Sequence, residues 1–193
     1  MFGRSISFPL HLTLCSKSLD DKVGLAALVG LAQTLKDSVL HANLYFVASS
    51  QEELGARGAR AVVNSINPDI CIAIDVTHSS DYPSAPSTSD IKLGAGCVIT
   101  IGPNINKPLA SKLIEIADKS AIKHQIEPIP HPTGSDANPI QISSKGVITA
   151  LLSIPCRYMH SPVEIASLND VQSTVDVLTS YFKEFHSLRS IDV

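Results

Sequence analysis

The stretch Phe46-Val47-Ala48-Ser49-Ser50-Gln51-Glu52-Glu53-Leu54-Gly55-Ala56-Arg57-Gly58-Ala59 decides the fold, because an apolar run stops there at two adjacent carboxylates. Residues 44–49 have the length and the aromatic and β-branched composition of a buried strand. Gly55 and Gly58 then indicate a turn and the start of a helix. The pattern predicts that Glu52 and Glu53 lie just beyond the carboxyl end of a strand, where open α/β sheets bind ligands. A pair of glutamates on a solvated helix face is the alternative interpretation.

The bulk composition is that of one globular α/β domain. A chain of 193 residues is long enough to bury about 70% of the surface that it exposes when unfolded. A net charge of −3 without a basic cluster argues against a nucleic-acid partner, and no apolar segment reaches the roughly 18 residues that a membrane span needs. The four cysteines are widely spaced and form no C-x-x-C motif, which is typical of a protein of the reducing cytoplasm.

The order of the predicted elements indicates a three-layer α/β fold, with a mixed, mostly parallel sheet and helices on both faces. Residues 69–76 are continuously apolar between two acids, which is typical of a strand buried on both faces. Residues 1–9 show no period, and residues 77–89 form a long Ser- and Pro-rich loop. Ser167 with Asp170 resembles a capping box for the last helix. The other strands are expected at residues 10–14, 44–49, 96–102, 126–129 and 147–154, and helices at residues 23–35, 56–66, 108–124 and 168–185.

Four potential metal ligands each follow a predicted strand, namely Asp20, Glu53, Asp75 and His160. Carboxylates together with an imidazole suit zinc, cobalt or manganese. A carboxylate can bridge two ions roughly 3.5 to 4 Å apart, while a second glutamate that binds no metal acts as a base. A role for Asp75 as a turn or cap residue stays open. Glycoside hydrolysis by a carboxylate pair is a weak alternative, because adjacent glutamates do not naturally flank one glycosidic bond.

Five motifs occur in a fixed order along the chain. They are Leu19-Asp20-Asp21-Lys22-Val23-Gly24, Gln51-Glu52-Glu53-Leu54-Gly55-Ala56-Arg57-Gly58-Ala59, Ala73-Ile74-Asp75-Val76-Thr77, Gly134-Ser135-Asp136-Ala137 and Arg157-Tyr158-Met159-His160-Ser161-Pro162-Val163-Glu164. In this order they resemble the M42 family of dinuclear metallo-aminopeptidases, which includes glutamyl aminopeptidases and chains labelled endoglucanase M. The resemblance covers nearly everything from Lys17 to Phe185.

The resemblance implies a role for each matching residue. Asp20 resembles the carboxylate that bridges both metals, and Glu52 matches the general base. Glu53 and His160 resemble ligands of one ion, and Asp75 resembles a ligand of the other. The cofactors implied are two divalent ions, zinc or cobalt, with manganese as a further candidate. Contacts to the peptide substrate are implied for Gly134, Ser135 and Asp136.

The resemblance also implies a phosphorylase/hydrolase-like zinc-peptidase fold of which only the C-terminal portion matches. The family's catalytic domain begins with a segment that carries one more metal-binding histidine, and an inserted dimerisation domain follows. Neither has a counterpart here, so residues 1–193 are expected to form a partial catalytic domain with an incomplete second metal site. An uncovered sheet edge and exposed apolar surface should result. His78 and His131 are candidates for a substitute ligand, although an ordinary loop histidine is the stronger interpretation of both.

The expected function is hydrolysis of N-terminal residues from peptides, by this chain or by an enzyme of which it is the C-terminal half. The alternative is a truncated, inactive remnant or a metal-binding module. Full-length members of the family form homo-oligomers, and we do not expect these from a chain without the dimerisation domain.

Overall fold

The computed structural model describes residues 6–8, 12–83, 85 and 90–188, and within them the chain forms one sheet flanked by helices. The strands are β1 (Ile6–Phe8), β2 (Thr13–Ser16), β3 (Ile70–His78), β4 (Cys97–Ile101), β5 (His124–Pro128), β6 (Ile148–Arg157) and β7 (Glu164–Ser167). The helices are α1 (Lys22–Leu35), α2 (Arg57–Ile66), α3 (Lys107–Lys119), α4 (Ala137–Gln141) and α5 (Leu168–Glu184).

Strand β6 is the centre of the sheet. Along its whole length it pairs in parallel with β3, from Ile70 opposite Ile148 to His78 opposite Cys156. Its other edge pairs antiparallel first with β4 and then with β7. Beyond these neighbours, β5 lies parallel to β4, and β2 and β1 continue the sheet antiparallel from β7.

The sheet is mixed, as expected, but the prediction of a mostly parallel sheet is only partly correct. Among the described strands, only the β3–β6 and β4–β5 pairings are parallel. Strands β6 and β7 are joined by residues 158–163 alone, which is too short for the crossover that parallel neighbours require. The short strands β1 and β7, which no sequence pattern indicated, extend the antiparallel part.

The prediction of a buried strand at residues 44–49 is wrong. These residues form no ladder with any described strand, and the side chains of Tyr45, Phe46 and Val47 are 67%, 41% and 37% exposed. Leu44 alone packs against the core. An apolar, β-branched run becomes a strand only where a neighbouring strand accepts its backbone hydrogen bonds, and the described part of the chain supplies none.

The expectation that β3 is buried on both faces is also wrong. Only Ala73 is buried in this strand, and its other residues are half-buried. β3 pairs with β6 on one edge, and no other described strand pairs with it. An edge strand presents unpaired backbone groups and less protected side chains than a central strand does.

Helices pack on both faces of the sheet. The larger core collects apolar side chains from α1, α3 and α5, including Leu109, Leu113 and Leu178. A smaller cluster joins α2 and α4 to the sheet. The two cores lie on opposite faces of the sheet, because successive side chains of a strand point to opposite faces. In β3, Ile72 packs against the larger core and the neighbouring Cys71 against the smaller.

Most predicted elements exist, with shifted ends. Helix α3 ends at Lys119 and not near residue 124, because His124 begins the strand β5 beside β4. Ser167 caps α5 by accepting a hydrogen bond from the backbone N–H of Asn169. Asp170 is not part of a capping box, since its carboxylate accepts hydrogen bonds from other backbone groups. Parts of two predicted segments, residues 10–11 and residues 84 and 86–89, lie outside the described residues.

Across the described ranges, the structure contains no helix that is both long and apolar enough to span a bilayer.

Candidate metal centre

Three of the four predicted metal ligands come together in space. Nε2 of His160 lies 3.1 Å from Oδ2 of Asp20 and 3.3 Å from Oε1 of Glu53. One ligand atom from each of the three residues lies within 4.8 Å of the others. The side chain of Asp20 is only 13% exposed, whereas those of Glu53 and His160 are 61% and 60% exposed. The cluster therefore has a buried base and an open side towards solvent.

Asp20 and His160 each lie in a connection where the chain reverses direction, and these connections bring their side chains to the cluster. Asp20 lies in the loop between β2 and α1, and the neighbouring Asp21 caps α1 by accepting a hydrogen bond from the backbone N–H of Gly24. A Cβ atom at Gly24 would lie 2.1 Å from Oδ2 of Asp21, so this cap requires glycine. His160 lies in the turn between β6 and β7, with a backbone φ of 61°.

The turn that holds Glu52 and Glu53 is compact and closely packed. The backbone N–H groups of Gly55 and Ala56 both donate to the carbonyl oxygen of Glu52, at 2.9 and 2.8 Å. Gly58 lies against the backbone of Ser50, where a Cβ atom would come within 2.4 Å of the Ser50 nitrogen. Because Gly58 has no side chain, α2 can start directly after the turn, and this close packing fixes the positions of Glu52 and Glu53.

Asp75 lies within β3 and not beyond its end, and it does not join the cluster of ligand atoms. Its Oδ1 accepts a hydrogen bond from the backbone N–H of Val76 at 2.8 Å. Burial, together with the charges of Glu52, Asp20 and Asp136, raises the pKa of Asp75 to about 7. These couplings place Asp75 in the same acidic region as the cluster, next to Glu52.

The electrostatics of Glu52 differ from those of a solvated glutamate. Burial raises the pKa of Glu52, and the neighbouring charges of Asp136, Glu53 and Asp20 raise it further. A carboxylate whose pKa is shifted towards neutrality is better suited to exchange protons than one on an open surface. Glu52 thus lies beside the cluster in an environment suited to a base.

The chemistry of the cluster fits a divalent cation. Burial raises the pKa of Asp20, the charge of Glu53 raises it further, and His160 lowers it. Two carboxylates held this close repel each other until a positive charge lies between them. Carboxylate oxygens with one imidazole nitrogen are a donor set that zinc, cobalt and manganese accept. Asp20, Glu53 and His160 are therefore the residues that would hold one such ion.

The predicted substrate contacts have different environments. Ser135 is buried, and its hydroxyl shares a hydrogen bond with the Thr133 hydroxyl at 3.1 Å. Gly134 is exposed. Asp136 accepts a hydrogen bond of 2.5 Å from the Ser49 hydroxyl, and its charge contributes to the raised pKa of Glu52. Of these three residues, Asp136 is the one whose charge acts on Glu52.

The two histidines considered as substitute metal ligands, His78 and His131, lie at different places relative to the cluster. His78 ends β3, and the charge of His160, together with burial, lowers its pKa. Its Nδ1 is buried without a hydrogen-bond partner among the described residues. His131 is exposed, and its Nδ1 lies 3.1 Å from the carbonyl oxygen of the adjacent Pro132. His78 is therefore near the cluster, whereas no hydrogen bond or ion pair among the described residues connects His131 with it.

Sequence reasoning assigned no chemical role to three residues that organise this region. Asp21 is half-buried, and burial together with the charge of Asp75 raises its pKa to about 8. Ser49 ties the Glu52 turn to Asp136. Glu164 accepts hydrogen bonds from the loops of two ligands. The one available signal was that Asp21 and Glu164 stand inside the five motifs, while Ser49 lies two residues before one of them.

The family model described as M42 glutamyl aminopeptidase matches residues 4–177 of the chain. The lysyl aminopeptidase of Pyrococcus furiosus is 45% identical over 166 residues, which are 86% of this chain and 47% of that protein. The chain thus spans about half the length of the curated relatives that it matches.

Solved structures show the same relationship. An aminopeptidase from the archaeon Desulfurococcus kamchatkensis superposes with a TM-score of 0.86 at 31% identity, covering 98% of this chain and 53% of that one. The TET1 peptidase of Pyrococcus horikoshii, which can assemble into a tetrahedron or a large octahedral shell, superposes with a TM-score of 0.78 at 30% identity. That match covers 94% of this chain and 54% of the other.

Proposed function

The chain belongs to the M42 glutamyl aminopeptidase family, and we propose that it is a metal-dependent aminopeptidase, or the C-terminal half of one. Its reaction is the hydrolysis of the N-terminal residue from a peptide. The observation that carries this proposal is the meeting of Asp20, Glu53 and His160 beside Glu52, in a chain that matches aminopeptidases over most of its length.

In this proposal Asp20, Glu53 and His160 hold one divalent ion, zinc or cobalt, with manganese as a further candidate. Asp20 and Asp75 hold a second ion together with a ligand from outside the described cluster. Bound ions would supply a Lewis acid that polarises the scissile carbonyl and would lower the pKa of a water molecule towards 7.

Glu52 acts as the general base. Its carboxylate takes a proton from the attacking water as the new C–O bond forms. The same proton then passes to the leaving amine nitrogen as the C–N bond breaks, which restores the carboxylate. The raised pKa of Glu52 supports this role, because it makes the carboxylate a stronger base and keeps its acid form accessible nearer to neutral pH.

A second polypeptide segment is part of this proposal. The chain aligns with about half of each relative, and β3 pairs along one edge only among the described strands. We infer that full activity requires a complementary segment, comparable to the other half of the relatives, which adds to the open edge of β3. By itself the chain is not expected to form the shells described for the Pyrococcus horikoshii peptidase.

A non-catalytic metal-binding module is the second candidate. The observation that favours it is the position of Asp75 outside the cluster of ligand atoms, which leaves one complete set of three ligands and no second set among the residues that the structure describes. Such a module would bind one equivalent of metal and turn over no substrate.

Hydrolysis of aminoacyl chromogenic substrates in the presence of Zn²⁺ or Co²⁺ tests the proposal. The assay compares the chain alone with the chain plus a separately produced N-terminal half of a family relative. Turnover in either mixture that disappears with Glu52→Gln supports the enzyme. No turnover in both, with one equivalent of metal bound, would favour the module.

A further inference from the structure

Glu164 is a buried carboxylate that connects two separate loops. It begins β7, and only 3% of the residue is exposed. No lysine or arginine among the described residues forms an ion pair with it. Burying a carboxylate without a cation is costly unless hydrogen bonds compensate for the lost water. The partners of this carboxylate therefore identify what it does.

All three hydrogen bonds of Glu164 come from backbone N–H groups next to or within the metal cluster. Oε2 accepts from Leu19 at 2.5 Å and from Asp20 at 3.1 Å. Oε1 accepts from His160 at 3.0 Å. One carboxylate thus bonds the backbone of two residues whose side chains lie 3.1 Å apart at the candidate cation site.

The conformation of the His160 turn depends on hydrogen bonds more than on packing of the His160 side chain. His160 has a backbone φ of 61°, a conformation that a non-glycine residue seldom adopts without support. Its side chain is largely exposed, so packing does not hold it. Residues whose own rotamers are fixed by surrounding hydrogen bonds bind metal more tightly than those that must be ordered on binding.

We propose that Glu164 is a positioning residue, which orders the Asp20 loop and the His160 turn before a divalent cation binds. The inference rests on the proposed metal centre. Only a carboxylate performs the task, because both of its oxygens accept hydrogen bonds. A glutamine amide has one acceptor oxygen and an NH₂ group, which would face a backbone N–H at the other loop.

The chain contains a matched control at Asp170. This carboxylate is fully buried and accepts two backbone hydrogen bonds, from Gly94 at 2.7 Å and Gly96 at 2.8 Å. No described contact connects it with Asp20, Glu53 or His160. Asp170→Asn therefore imposes the same chemical change as Glu164→Gln without touching the ligand loops, and it separates positioning from general loss of stability.

Two measurements on the whole chain test the proposal. Calorimetric titration with Co²⁺ should show affinity about 10- to 100-fold weaker in Glu164→Gln and unchanged affinity in Asp170→Asn. Amide hydrogen exchange of the metal-free chain should be faster at Asp20 and His160 in Glu164→Gln alone. Glu164→Asp, which keeps the charge and both oxygens but is one methylene shorter, serves if Glu164→Gln does not fold, and it should also weaken binding.

The proposal is overturned if a folded Glu164 variant binds Co²⁺ as tightly as the wild type, or if Asp170→Asn weakens binding equally. A wild-type chain that binds no Co²⁺ would refute the metal centre itself. In that case the exchange rates at Asp20 and His160 still decide whether Glu164 orders the two loops.

Discussion

Nε2 of His160 lies 3.1 Å from Oδ2 of Asp20, although one residue precedes the first helix and the other follows the last long strand. An imidazole and a carboxylate this close share a proton or a cation. With Glu53 also 3.3 Å from the same nitrogen, a divalent cation satisfies the arrangement better than a proton does.

His160→Ala should weaken binding of Co²⁺ at least about 10- to 100-fold, because the loss of a ligand does no less harm than the loss of its support. Calorimetric titration measures the change. His131→Ala removes an exposed histidine that contacts only its neighbour Pro132, and it should leave the affinity unaltered. Equal affinities in the two variants would rule out His160 as a ligand.

Glu52→Gln should lower kcat by roughly 10²- to 10⁴-fold, since the amide cannot take up the proton. Metal affinity should stay near that of the wild type, because Glu52 is not among the three clustered ligands. The measurement is kcat with a chromogenic aminoacyl substrate in whichever mixture is active. Glu115→Gln, an exposed glutamate on α3 that pairs with Lys112, is the charge-matched control. A Glu52→Gln variant with full activity would remove Glu52 from the mechanism.

The stability of the metal-free chain should fall as pH rises from about 4 to above 6, in part because of Asp170. Burial raises the pKa of Asp170 to about 6 from an ordinary value near 3.8. Between these values the folded state binds more protons than the unfolded state, so raising the pH favours unfolding. Urea denaturation across this range should show a steeper decline for the wild type than for Asp170→Asn. Parallel curves would mean that Asp170 is not protonated in the folded state.

Val47→Lys should reduce self-association of the isolated chain. The side chains of Tyr45, Phe46 and Val47 are exposed, and exposed apolar side chains in succession attract other chains. A lysine in this segment should disfavour that contact, and sedimentation velocity measures the result. Val29→Lys makes the same change on the exposed side of α1 and should have a smaller effect. A wild-type chain that is monomeric at high concentration would contradict the prediction.

Predictions from local sequence patterns were correct where interactions within one segment determine its structure. The apolar period predicted α1, and Ser167 was correctly identified as the cap of α5. Continuous apolar runs located β3, β4 and β6, because each of these runs has a neighbouring strand with which it pairs. The motif order indicated the family, and the family model agrees.

Predictions failed where the structure of a segment depends on another part of the chain. Residues 44–49 have the composition of a strand, yet they form no ladder among the described residues, because strand structure depends on a neighbour that composition does not reveal. The prediction of a mostly parallel sheet was only partly correct for the same reason. The short turn from β6 to β7 reverses the chain, so β7 pairs antiparallel with β6 whereas β3 pairs parallel with it.

The sequence by itself determined which side chains are available for chemistry: the acidic pair Glu52 and Glu53, the carboxylates Asp20 and Asp75, and His160. Only the tertiary structure decided that Asp20, Glu53 and His160 share one place while Asp75 lies apart in β3. It also identified Glu164 as the acceptor that joins two of the ligand loops. The physical reason is that residue type fixes what an atom can bind, whereas a distance between remote residues depends on how the sheet and its turns are assembled.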